Sequence, residues 1–292
     1  MCPTVVVLTL TLAAGGCSEP PATSAASDSG WIYQLQGYPG GRLDEIAARR
    51  PPYAVIDLAR DNSAGYFRAD EIAALRAAGT TVLAYFEIGS IENFRPDFAA
   101  VQDRGLLLNE WSDWPGERFG RYWEPAWWDT VVRPRLDRAL AAGFDGAYLD
   151  TPLAYEEIDL ARVPGWDRGR LARAMADLVV RISRYAKAHR PGFRIVPQNS
   201  PELRHQGGYP EAIDGVGVEE LFYQATDVPC EQRYCAENLA DVEALRDGGK
   251  FVLAVDYAVK PEHVQALCTR YRKEQFAGYV GVRELDRIGV SC

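Results

Sequence analysis

The sequence predicts a single α/β domain folded as a (β/α)8 TIM barrel, on three observations. Short runs rich in Val, Ile, Tyr and Phe alternate with helical patterns along the chain after residue 30. Eight such strand–helix units fit into about 260 residues, the size of one barrel. Nearly every strand closes on a carboxylate or a carboxamide, and in barrels the chemistry gathers at the C-terminal ends of the strands.

Taken in order, the expected strands are Ile32 to Gln36, Ala54 to Leu58, Thr81 to Glu87, Gly146 to Asp150, Arg194 to Gln198, Gly215 to Glu219, Phe251 to Asp256 and Gly278 to Arg283. The first is followed by Gly37-Tyr-Pro-Gly-Gly41, which lacks the GxGxxG spacing of a dinucleotide-binding open sheet. No Walker motif, GxSxG elbow or HExxH helix occurs either. Helical periodicity marks Ala69 to Ala78, Trp127 to Ala142, Arg168 to His189, Ala236 to Asp247 and Pro261 to Gln275. Three of these stop at glycine, at Ala78-Gly79, Ala142-Gly143 and Asp247-Gly248, because a left-handed residue ends a helix without a Cβ penalty. Between the third strand and its helix lies a long insertion, from Ile88 to Trp127. With the start of the helix it holds Trp111, Trp114, Trp123, Trp127 and Trp128, five of the seven Trp, together with Tyr122. Aromatic faces of this kind stack on pyranose rings at little entropic cost, or pack the loop onto the barrel.

The first thirty residues read differently. Val5 to Ala14 is an apolar run too short to span a bilayer, and it leads into Gly15-Gly16-Cys17 and a Ser/Pro/Ala-rich stretch. The expected organisation is a lipoprotein signal over residues 1–17 ending at a lipidated Cys17, a flexible tether over 18–30 and the barrel over 31–292. The chain is thus expected to be exported to the cell envelope and held at a membrane only through its N-terminal lipid. Four cysteines then remain. An even number suits an oxidising compartment, and the short spacing favours Cys230 with Cys235, leaving Cys268 for Cys292.

Charge narrows the partner. The net charge is −9, only four of the 32 basic residues are Lys, and no basic run occurs, so a nucleic-acid surface is not expected. Acids or amides close the strands at Gln34 and Gln36, Asp57, Glu87, Asp150, Gln198 and Asn199, Glu219 and Glu220, and Asp256, with Glu284 after the last. Any one of these has a helix-capping explanation. A ring of them suits a molecule with many hydroxyl or amino groups, as a sugar chain has. In Gly215-Val-Gly-Val-Glu219-Glu220 the valines share a face with Glu220, which turns Glu219 toward the axis. Asp150 and Glu219 are therefore the expected catalytic pair, two carboxylates being the minimum for glycoside hydrolysis. Three scattered His give a metal site little support, and no cofactor is expected. The alternatives are a non-catalytic carbohydrate-binding barrel and a metal-dependent hydrolase.

Several segments resemble glycoside hydrolase family 114. They are Tyr85-Phe-Glu-Ile-Gly-Ser-Ile-Glu-Asn-Phe-Arg-Pro-Asp97, Trp114-Pro-Gly-Glu117, Trp123-Glu-Pro-Ala-Trp127, Gly143-Phe-Asp-Gly-Ala-Tyr-Leu-Asp150 and Gly217-Val-Glu-Glu-Leu-Phe-Tyr223. The resemblance implies a (β/α)8 endo-α-1,4-polygalactosaminidase with Asp150 and Glu219 catalytic, and with Asp57, Tyr85, Glu92, Arg95, Tyr223 and Asp256 lining the cleft. Tyr257 and Arg283, at the ends of the seventh and eighth strands, complete the expected substrate contacts. Glu87 stands where the family usually has Ser, and Leu153 where an acid is frequent. The implied partner is an amino-sugar polysaccharide, cleaved by a monomer.

Overall fold

The computed structural model describes Met1, residues 30–61 and residues 63–292; the expected signal segment, Cys17 and nearly all of the tether lie outside the described residues. Eight parallel strands carry the domain. They are β1 (Ile32–Tyr33), β2 (Tyr53–Asp57), β3 (Thr81–Glu87), β4 (Gly146–Asp150), β5 (Arg194–Pro197), β6 (Gly215–Glu219), β7 (Phe251–Tyr257) and β8 (Ala277–Gly281). Helices Ala69–Ala77, Arg133–Ala142, Arg168–His189, Arg233–Asp247 and Pro261–Glu274 return the chain between them.

Two faces of the sheet separate by alternation. Tyr33, Val55, Leu83, Tyr85, Tyr148, Val196, Leu253, Val255, Tyr257 and Tyr279 form one buried cluster on the inner side. Ala54, Ile56, Val82, Ala84, Phe86, Ala147, Leu149, Val216, Val218, Val252, Ala254 and Val280 form the other, packed under the helices. The inner side is crowded with tyrosine, so β6 offers glycine there: a Cβ on Gly217 would lie 2.2 Å from Tyr148 Oη.

The strands pair in two stretches, β1-β2-β3-β4-β5 and β6-β7-β8. A parallel bridge between Gln198 and Gly217 links them, with Asn199 N donating to Gly217 O at 2.8 Å. The expected direct closure of β8 on β1 is not made by a ladder among the described residues. The edge of β8 is taken instead by Val290–Ser291, which pairs antiparallel with it through Tyr279↔Ser291 and Val280↔Val290. Ser291 Oγ then donates to Trp31 O at 3.2 Å. The first strand is also shorter than expected, because beyond Tyr33 the backbone of Leu35 and Gln36 bonds Leu285 O in the last loop.

The insertion is not structureless. Ser90–Glu92, Leu107–Glu110 and Glu117–Gly120 form a three-stranded antiparallel sheet, with Glu92 opposite Glu117. The helix after it begins at Pro125 and passes through a π-helical turn, Trp128–Val132. Trp127 and Trp128 are buried in the outer cluster, Trp127 Nε1 donating to Ile88 O at 2.8 Å. Of the five Trp in this region only Trp114 is largely exposed, at 43%.

The cysteines fall in the expected pairs. Cα separations of 6.3 Å for Cys230 and Cys235 and 5.1 Å for Cys268 and Cys292 suit disulfides.

Candidate active site

Parallel register sets the height of each strand-end side chain. Asp57 pairs with Tyr85, Tyr85 with Tyr148, Glu87 with Asp150, and Glu219 with Val255. Asp150 continues the inner face after Tyr148, and Glu219 continues it after Gly217. Each carboxylate is held by an inner-face tyrosine of the directly paired strand. Tyr85 Oη donates to Asp150 Oδ2 at 2.5 Å, and Tyr257 Oη donates to Glu219 Oε1 at 2.9 Å.

The backbone around them is strained. Thr151, Asn199, Ser200 and Glu220, which follow the ends of β4, β5 and β6, all have left-handed φ, between 48° and 60°. For a β-branched residue such as Thr151 this is an outlier that the surroundings must hold in place. Thr151 N donates to Asp150 Oδ1 at 2.6 Å, and Asn199 Oδ1 accepts from Glu219 N at 2.9 Å. The strained residues thus orient the two carboxylates and the backbone that carries them.

The pair is electrostatically unequal. Burial and then the charge of Asp150 push Glu219 up to about 8, against a smaller lowering by the Tyr257 hydroxyl. Burial pushes Asp150 up to about 6, with Tyr85 opposing it. At neutral pH the arrangement holds one proton on Glu219 and leaves Asp150 mostly ionised, a division of roles suited to an acid and a nucleophile.

The other expected contacts divide into two groups. Gln198 is on the inner side, its Oε1 accepting from Tyr33 Oη at 3.3 Å, and Gln34 is buried with its Nε2 donating to Gln36 O at 3.0 Å. Arg283 is exposed, its guanidinium 4.9 Å from the Trp114 ring centre, and its charge reaches Glu219 and the half-buried Glu220. Gln198, through Tyr33, and Arg283, through its charge, border the pair, whereas Gln34 bonds backbone oxygens of Gln36 and Asp286.

The second group is engaged in contacts within the scaffold. Arg95 donates to Asp57, Glu87 and Glu92 together, at 2.9 Å to Asp57 Oδ2 and 2.6 Å to Glu92 Oε2. Glu87 also accepts from Arg135 at 2.7 Å. Burial would raise Glu87, but the two guanidinium groups hold it well below the usual carboxylate range. Glu92 beside it is pushed the other way, to about 10, by burial and then by the Glu87 charge. Asp256 shares the helix-facing side with Ala254, is fully buried, and spends both oxygens: Oδ1 accepts from Phe222 N and Tyr223 N, and Oδ2 from Tyr271 Oη at 2.6 Å. Tyr223 is buried too, its ring 5.2 Å from that of His263.

Sequence reasoning missed Arg135 and Glu117. Glu117 is buried, and Ser90 Oγ lies in close hydrogen-bonding contact with its Oε1. Burial, then the charges of Asp150 and Glu87, push it up to about 8. In the sequence it stood only as the end of the Trp114-Pro-Gly-Glu117 segment, with no local pattern to single it out. Among the described residues no group of three His, Cys, Asp or Glu is arranged to hold a metal ion.

Comparison with known proteins gives one direction. The glycoside hydrolase domain of PelA from Pseudomonas aeruginosa superposes with a TM-score of 0.70 at 22% identity, covering 90% of this chain and 98% of that one. Ega3 of Aspergillus fumigatus, solved in complex with galactosamine, gives 0.70 at 19% identity over 95% and 100%. At such identities the likeness speaks for the fold. In sequence, an uncharacterized protein of Deinococcus radiodurans is 35% identical over 275 residues, 93% of this chain and 85% of its own length. An uncharacterized protein of Thermotoga maritima is 33% identical over 235 residues, 78% and 70% of the two chains. The sequence profile described as glycoside-hydrolase family GH114 matches residues 13–292.

Proposed function

Because the chain belongs to glycoside-hydrolase family GH114, we propose that it cleaves an α-1,4-linked, galactosamine-containing polysaccharide internally, with Glu219 as general acid/base and Asp150 as nucleophile. The observation that carries this is the pair itself. Two inner-face carboxylates, each gripped by a tyrosine, are driven to different protonation states, Glu219 being raised by burial and by the charge of Asp150.

In the first step Glu219 gives its proton to the glycosidic oxygen as the bond from that oxygen to the anomeric carbon breaks. Asp150 forms a bond to the same carbon, producing a glycosyl ester and releasing the leaving part of the polymer with a free hydroxyl, a new non-reducing end; the new reducing end is freed only when the ester is hydrolysed. In the second step ionised Glu219 takes a proton from water, whose oxygen displaces Asp150 from the anomeric carbon. Both carboxyls return to their starting states.

The substrate class rests on the acidic mouth, which suits amino groups, and on the galactosamine bound to the fold relative Ega3. We extend the reading to the parts not described: export, lipidation at Cys17, a tether to residue 30, and a ring of eight strands functioning as one monomeric barrel. The test is reducing-end release from galactosaminogalactan by wild type, Asp150→Asn and Glu219→Gln. Wild-type cleavage with both variants reduced at least about a hundredfold is expected, since each removes a covalent or acid–base step. Binding of the polymer without cleavage by wild type would favour a carbohydrate-binding protein, and loss of activity on chelation a metal-dependent hydrolase.

A further inference from the structure

The insertion sheet touches the site through one line of oxygens. Glu117 Oε1 meets Ser90 Oγ, Ser90 Oγ meets Thr151 Oγ1 at 2.9 Å, and Thr151 Oγ1 meets Asp150 O at 2.8 Å. Thr151 Oγ1 accepts in addition from Gly89 N at 3.0 Å, so its own proton is the one it has left to give. Three oxygen–oxygen contacts need three protons. The Ser and Thr hydroxyls supply two.

We infer that Glu117 is a protonated carboxylic acid that donates to Ser90, and that it is a positioning residue for Asp150. With that proton in place Glu117 donates to Ser90, Ser90 to Thr151, and Thr151 to Asp150 O. Without it, the two remaining protons leave one contact with facing lone pairs in a buried space, which is costly. The chain of donors converges on Thr151, the residue whose strained backbone points its N–H at Asp150 Oδ1. Locking Thr151 therefore aims the carboxylate.

The charged groups around Glu117 support a neutral form. Asp150 from β4 and Glu87 from β3 disfavour a further negative charge, Glu92 on the facing insertion strand is itself held protonated, and Arg95 is the cation that opposes them. Buried as it is, Glu117 is held protonated well above the ordinary glutamate range.

The positioning role rests on the reading of Asp150 as nucleophile; the protonation state does not. Its direct test is the carboxyl carbon resonance of Glu117 in protein labelled with 13C-glutamate, assigned by its absence in Glu117→Gln or, if that variant does not fold, by its shift in Ser90→Ala. Expected is a carboxylic-acid resonance at pH 6 to 7 that titrates near about 8. A second measurement follows from linkage. A carboxyl that keeps its proton in the native state while the unfolded chain loses it near about 4.3 makes the wild type less stable as pH rises between the two values. Glu117→Gln lacks that loss, so its Tm relative to wild type rises from pH 5 to pH 8. In activity, Glu117→Ala lowers kcat by about tenfold or more, and Glu117→Gln, which keeps a donor toward Ser90, restores most of it. A resonance that titrates in the ordinary glutamate range, or a Tm difference that stays flat with pH, overturns the inference. An inactive wild type with a protonated Glu117 would instead sink the proposed function and leave this assignment standing.

Discussion

At the scale of single residues, the two tyrosine contacts tune the site in opposite limbs of the pH profile. Activity is expected to rise as Asp150 ionises near about 6 and to fall as Glu219 loses its proton near about 8, giving a narrow bell in kcat/KM. Both hydroxyls lower the pKa of the carboxyl they touch. Tyr85→Phe is therefore expected to move the acid limb up in pH, and Tyr257→Phe to move the alkaline limb up; a shift of either limb downward in the pH–rate profiles would contradict these contacts. Arg95 is a different case. It is buried and neutralises Asp57 and Glu87, which are themselves almost wholly inaccessible. Arg95→Leu leaves Asp57 uncompensated and Glu87 with Arg135 alone, and a loss of about 3–5 kcal/mol in denaturant unfolding is expected. Which acids stay free was only partly legible. The alternation in β6 gave the facing of Glu219, because Gly and Val mark its two sides. In Phe251–Tyr257 both sides are apolar, so nothing in the sequence says that Asp256 turns outward to Tyr271. The capture of Asp57 and Glu87 by Arg95 and Arg135 joins residues from separate elements, and no local pattern records such a pairing.

At the scale of elements, β3, β4 and β6 keep the limits read from their patterns, since a strand bounded by glycine, proline or a charged turn has sharp ends. β1 does not, because its last residues find a better partner in the loop at Leu285 than in a neighbouring strand. The small sheet of the insertion escaped notice for its shortness. Its strands are three or four residues, below the length at which period-two alternation stands out. β6 also carries a sharp steric prediction. Gly217→Ala drives a methyl into the Tyr148 ring, and a loss of about 1–3 kcal/mol is expected from overpacking in thermal or denaturant melts. Because Glu219 lies two residues on, the same variant is expected to lose activity beyond its loss of stability. Unchanged turnover in a folded Gly217→Ala would show that β6 does not set the height of Glu219.

At the scale of the whole molecule, charge and chain direction matter more than any one contact. Glu19 and Asp28 are the charged residues among the first thirty, so −7 of the −9 belongs to the domain. Binding of a partly deacetylated, cationic polymer is expected to weaken as salt is added, measured by retention or calorimetry at rising ionic strength. Binding that is indifferent to salt would remove the charge argument for the substrate. The last feature is where Gly30 enters the domain. Gly30 lies against Ser291 and Cys292, at the start of β1 rather than at its end. All eight parallel strands run from that side toward Asp150 and Glu219, so residue 30 joins the domain at the end of the sheet opposite the carboxylate pair. On the proposed anchoring, the point of attachment and the mouth lie on opposite faces of the domain, so polymer reaches the mouth without crossing the tether.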